Sequence, residues 1–254
     1  MNINRSNHPC KRYFFACSGF SLILAMLISM SSAYSAERPA IDHLVGFFET
    51  VVFGSEIDDR MESLVIARWI GPLRIGIKGQ ASDSHIQTVR RHLSVIKNLT
   101  GVDIEKVNAP DKPENLTILF LPPEEMGKVK IKGVNPEYIR QIASPLSCYF
   151  LSFKKPPDSI VRGVIVVNKQ RSDEAIEHCL LEELVQSMGL PNDTDMLRPS
   201  IFSDHDRITK LSRSDEILLR TLYDERMTEG LGREEALLVA RVIITDWDQR
   251  LPLQ

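Results

Sequence analysis

At 254 residues, 26% of them charged and 43% hydrophobic, the chain has an ordinary globular composition and room for one domain of usual size with extensions. A net charge of −3 gives no electrostatic basis for binding nucleic acid. The one local basic run, KVKIKG over residues 128–133, reads as a solvated loop or an edge strand.

In chain order, Lys11 and Arg12 precede the apolar run YFFACSGFSLILAMLISM and the small-residue stretch SSAYSA. A basic start, an apolar centre and a cut after Ala33 or Ser35 make a secretory signal peptide of residues 1–35. The alternative is an uncleaved segment that anchors the chain, because the run is just long enough to span a bilayer. Polar or small Ser18, Gly19 and Ser21 weigh against that. The mature chain is therefore expected in the periplasm or outside the cell, touching a membrane only if the signal is retained. Cys10 and Cys17 leave with the signal, and Cys148 and Cys179 remain. An even number of cysteines in an oxidising compartment predicts a disulfide in preference to two buried thiols. Such a bridge closes a loop of about 30 residues, worth roughly 3–4 kcal/mol in the chain-entropy account.

Residues 36–64 form an N-terminal segment with an amphipathic helix over 41–53, and residues 65–250 form the main domain. VIARWIGPLRIGIKG (65–79) alternates as a strand, with Pro72 marking an edge or a bulge. Ile86, Val89, Leu93 and Ile96 recur at helical spacing within 83–99, where Asp83 or Ser84 is suited to the cap. LTILFLPP (116–123) is a compact strand closed by two prolines. CYFLSF (148–153) and IVRGVIVVNK (160–169) are two further strands joined by a KKPPD turn. A helix starts at Ser172 or Asp173 and stops at Gly189, a residue suited to the left-handed C′ position. Ser212 with Asp215 has capping-box spacing, and residues 232–244 carry the apolar stripe of a core-packing helix. Successive strands followed by helices predict an α+β fold with a mixed sheet of about four strands.

Chemistry concentrates on the helix after residue 172. At about 100° per residue, Ile176, Leu180, Leu181, Leu184, Val185 and Met188 share one arc. His178, Glu182, Glu183 and Gln186 fall opposite, with Cys179 among them. The plainest reading of that side is a solvated polar face. Farther on, SIFSDHD (200–206) offers Asp204, His205 and Asp206 either as added ligands or as a turn that bonds its own backbone. Neither a G-x-S-x-G nucleophile motif nor a glycine-rich phosphate loop is present.

EELVQSMGLPND (182–193) resembles the zincin signature HExxHxxGLxHD, with Gly189, Leu190 and Asp193 in register. LSRSDEILLRTLYD (211–224) looks like the metzincin segment LSxxDxxxIxxLY. More specifically, CLLEELVQSMGLPND, RPSIFSDHD and LLRTLYDERM resemble a family of exported bacterial domains of unknown function, the one numbered 2927, over roughly residues 66–244. The resemblance implies a zincin-like fold in which both metal histidines are replaced. Glu182 and Gln186 then stand at the ligand positions, Asn192 or Asp193 near the third ligand, and Glu183 at the general base. Carboxylate and amide oxygens suit hard divalent cations such as Ca²⁺, Mg²⁺ or Mn²⁺ better than zinc, which argues against a standard zinc peptidase. No other cofactor is indicated.

Three readings follow. The chain is a degenerate zincin-like scaffold that binds a protein or peptide without catalysis. Alternatively, it is a metal-dependent or carboxylate-based hydrolase of peptide or cell-envelope substrates, with Glu183 as base. In the third, the helix is structural throughout, its polar groups bonding neighbours.

Overall fold

The computed structural model describes residues 38–54, 63–105, 112–143, 148–156 and 158–253. The signal-peptide reading of residues 1–35 lies outside the described residues. Helix α1 (Ile41–Phe53) buries Leu44, Phe47, Phe48, Val51 and Val52 and ends at Gly54. The stretch read as one strand over 65–79 is two: β1 (Arg68–Trp69) and β2 (Leu73–Gly79). Pro72 separates them because it has no N–H to give a ladder, while its carbonyl accepts from Asn115 Nδ2.

Helix α2 (Asp83–Thr100) is capped by Ser82, one residue before the expected position, because the Ser82 hydroxyl accepts from His85 N–H in a capping box. Short β3 (Ile104–Glu105) and then β4 (Leu116–Leu121) follow. Two small helices that periodicity does not reveal, α3 (Pro123–Met126) and α4 (Pro136–Ile142), each open with proline. Residues 128–133 run between them as a loop. Strands β5 (Cys148–Lys155) and β6 (Ser159–Asn168) make the expected hairpin. Three helices complete the chain: α5 (Asp173–Gln186), α6 (Arg213–Tyr223) and α7 (Arg233–Arg250).

The described residues thus hold seven helices and a mixed, mostly parallel sheet of six strands, where about four were expected. Its order is β1-β6-β4-β2-β3, with β5 antiparallel on the other side of β6. Parallel pairing of β2 with β4 requires a crossover, which α2 supplies, so helix and strand alternate here instead of segregating.

Period-two alternation along β4 sets the layers. Leu116, Ile118 and Phe120 are buried in the large core with α1, α2, α5, α6 and α7. Leu119 and Leu121 face a smaller cluster on the opposite side, where Met126 of α3 and Ile139 of α4 cover Tyr149, Val164 and Val166. Among the described residues no helix is long and apolar enough to cross a membrane.

The large core is tied at the end of α5. Trp69 Nε1 donates to Ser187 O at 2.9 Å, and Tyr223 Oη donates to Met188 O at 2.8 Å. Gly189 then turns the chain at φ 112°, and a Cβ there would collide with the Ala67 carbonyl oxygen. Backbone strain of this kind costs about 1–3 kcal/mol before any collision is counted. Gly189→Ala is therefore expected to destabilise the protein by at least about 2 kcal/mol, read as a lowered urea midpoint at unchanged m-value.

Candidate functional site

Helix α5 begins where the Ser172 hydroxyl accepts from Ala175 N–H, with Asp173 and Glu174 in the first turn favoured by the helix dipole. Its polar side is not a solvated face. His178, Cys179, Glu183 and Gln186 are all buried, and Glu182 is half-buried. A helix enclosed on both sides must satisfy its polar groups within the protein.

Three of them turn toward the loop that follows the helix. His178 Nδ1 lies 2.7 Å from Ile208 O, which fixes Nδ1 as the protonated nitrogen and leaves Nε2 as an acceptor. Nε2 faces Glu182 Oε2 at 3.5 Å. Burial lowers the affinity of His178 for a second proton, with Arg207 adding to that effect. Burial, joined by the anions of Asp193 and Asp204 and opposed by Arg207, pushes the Glu182 carboxyl up to about 8. At neutral pH the pair is thus a neutral imidazole facing a protonated carboxyl, not an ion pair. One turn on, Gln186 Nε2 donates to Asp193 Oδ1 at 2.7 Å.

Glu183, the candidate base, looks elsewhere. Its carboxylate lies with Cys148 and Cys179 Sγ, all three ligand atoms within 4.8 Å of one another. Cys148 and Cys179 form the disulfide expected from the sequence, with Cα atoms 6.3 Å apart, inside the range that a bridge requires. Glu182 and Glu183, adjacent in sequence, therefore serve two environments about 100° apart around the helix.

Of the two residues considered near the third ligand position, Asn192 is committed to α1. Its Nδ2 donates to Thr50 O at 3.1 Å and its N–H to Val51 O at 3.2 Å. Asp193 alone reaches Gln186. In SIFSDHD, Asp206 binds Arg198 and accepts from Ser200 N–H, so it builds the turn. Exposed His205 sits 2.8 Å from Asp195. Only Asp204 of that trio adds charge at Glu182.

Sequence reasoning missed Arg207 and the Ile208 carbonyl, since neither a solvent-facing arginine nor a backbone oxygen leaves a signal in residue type. It also read Asp215 as a cap and no more. Asp215 does accept from Ser212 N–H at 2.8 Å, but it also takes Ser200 Oγ at 2.7 Å and Ile201 N–H at 3.1 Å, holding the loop to α6.

Residues 42–241 match the family described as Protein of unknown function (DUF2927), and the chain belongs to it. No curated protein matches the chain.

The Glu182 carboxyl titrates near 4.5 when unfolded and near 8 when folded. Its stabilising contribution is therefore complete below the lower value and is lost as pH rises through the upper one. Relative to Glu182→Gln, the wild-type protein is expected to lose about 2–4 kcal/mol of unfolding free energy between pH 5 and 8. Urea titrations of both proteins across that window measure the difference.

Proposed function

We propose that this family member is an exported, non-catalytic binding module on a zincin-like scaffold. Its site is the side of α5 formed by His178, Glu182 and Gln186, with Asp193 and Asp204 from the following loop. The observation that carries the reading is the 2.7 Å bond from Gln186 to Asp193. It joins two positions that a zincin turns toward its metal, and it commits one polar atom of each to the other.

Three carboxyl groups, opposed at Glu182 by Arg207, leave the site short of positive charge. A protonated amine or guanidinium on a protein or peptide ligand supplies it, and draws the proton from Glu182 as it binds.

A single specific observation favours a second reading, acid–base catalysis: His178 Nε2 faces Glu182 Oε2 at 3.5 Å, a contact along which a proton can pass. Glu182 exchanges its proton near pH 8, within reach of neutral conditions. In a carboxylate-based hydrolase of peptide or cell-envelope substrates, Glu182 and His178 exchange the proton, and Glu183, turned to the disulfide, is too far around the helix to be the base the sequence suggested. A metal-dependent variant places a hard divalent cation between Glu182, Gln186 and Asp193.

The scaffold assignment is tested by restoring the histidines. In Glu182→His/Gln186→His, with Asp193 as third ligand and the disulfide intact, about one zinc ion per chain is expected by elemental analysis. A folded double variant that takes up no zinc removes the zincin-like reading. The catalytic reading is tested by hydrolysis of labelled casein and of purified cell-wall fragments. A turnover lost in Glu182→Gln favours it over the binding module, and no turnover in the wild type sinks it.

A further inference from the structure

The other side of α5 carries a grouping that the binding reading does not use. Among the described residues, Cys148, Cys179 and Glu183 are the one set of His, Cys, Asp and Glu side chains that brings three ligand atoms within 4.8 Å. All three are buried. Cys179 and Glu183 are one helical turn apart on α5, the spacing by which two helix residues share one ion. Cys148 is the first residue of β5, where the ladder sets it against Val167 of β6. Two rigid elements in contact thus hold the three donors.

We propose that reduction of the Cys148–Cys179 disulfide converts this cluster into a buried site for a thiophilic divalent cation, zinc foremost. Cys148 Sγ, Cys179 Sγ and the Glu183 carboxylate are its protein ligands.

Tetrahedral zinc with Zn–S bonds of about 2.3 Å needs its sulfurs about 3.8 Å apart. The Cα separation of 6.3 Å lies toward the long end of what a disulfide accepts, so side-chain rotation can open the sulfurs that far without moving the helix from the strand. Thiolate donors select zinc over calcium or magnesium, which separates this site from the oxygen-lined one around Glu182. Charge points the same way. Two thiolates and a carboxylate are costly to bury together, and a divalent cation offsets most of that cost.

The conversion balances with a dithiol as reductant. The dithiol gives two electrons to the S–S bond and becomes a disulfide itself. The two protein sulfurs bind the cation as thiolates, and two protons are released. A water fills the fourth position, as in other three-ligand zinc sites.

The test uses the full exported chain, reduced anaerobically with a phosphine, and cobalt(II) as the probe. About one equivalent of cobalt is expected to give thiolate charge-transfer absorption in the near ultraviolet and intense tetrahedral bands in the visible. Zinc should displace it. The oxidised chain, Cys148→Ser and Cys179→Ser should show none of this absorption. Glu183→Gln, whose fold is first checked in its oxidised form, should bind cobalt roughly tenfold or more weakly. A reduced wild-type chain that stays folded without developing the bands overturns the proposal. So does a reduced chain that unfolds and is not refolded by zinc, or a Glu183→Gln protein that binds as tightly as the wild type.

Discussion

The enclosure of α5 is the constraint on which the rest depends. It packs on α2 and on strands β5 and β6, and its last turn is bonded to Trp69 and Tyr223. An ordinary surface helix leaves its polar side to water, whereas beyond its exposed first turn this one has little to give. His178 accordingly finds the Ile208 carbonyl, Gln186 finds Asp193, and Cys179 finds Cys148. Glu182 finds no cation close enough to keep it ionised at neutral pH, and holds its proton instead. The unusual chemistry of the helix is a consequence of where it is packed.

That packing works only because the chain after Gly189 returns along the helix. Asn192 fixes the turn to the end of α1, and Thr194 N–H bonds Phe202 O to close the loop. Asp215 secures its far end through Ser200, Ile201 and Ser212. Burial pushes the Asp215 carboxyl up to about 6, against the pull of these donors. Keeping it ionised at neutral pH therefore costs stability, and its return is position. Without the anchor, Asp204 and the Ile208 carbonyl would not be held against α5.

Much of this architecture was legible in residue pattern. The 41–53 helix matches α1 in both bounds, because its apolar spacing and Gly54 coincide. LTILFLPP stops as a strand where its prolines begin. The Ser212–Asp215 box opens α6 as its spacing predicts. The losses have separate causes. Helices α3 and α4, of 4 and 7 residues, are too short to show a period. The tail helix read to residue 244 continues to Arg250 because Trp247 and Asp248 hold its last turn, Asp248 by an ion pair to Arg213 at 2.8 Å. The site was hardest, since periodicity distinguishes sides only by contrast and α5 is buried on both. Residue type marked Glu182, Glu183, Gln186 and Asp193. It did not reveal that the two glutamates face different neighbours.

That division gives the disulfide a second significance. On the loop side, α5 carries a carboxyl forced to bind a proton beside two further acids, an arrangement that favours opening of the loop as pH rises. On the sheet side, the same helix is linked covalently to the start of β5. Closing a chain segment of this size is worth roughly 3–4 kcal/mol in the chain-entropy account, comparable with the cost of the strained side. The linked Cys179 also lies three residues before Glu182, within one turn of helix, so the bridge restrains the very turn that carries this carboxyl. A site that crowds acids together is tolerable where its scaffold is held from the opposite face. Anything that loosens the sheet side should then be felt on the loop side, through a shared helix instead of a shared ligand.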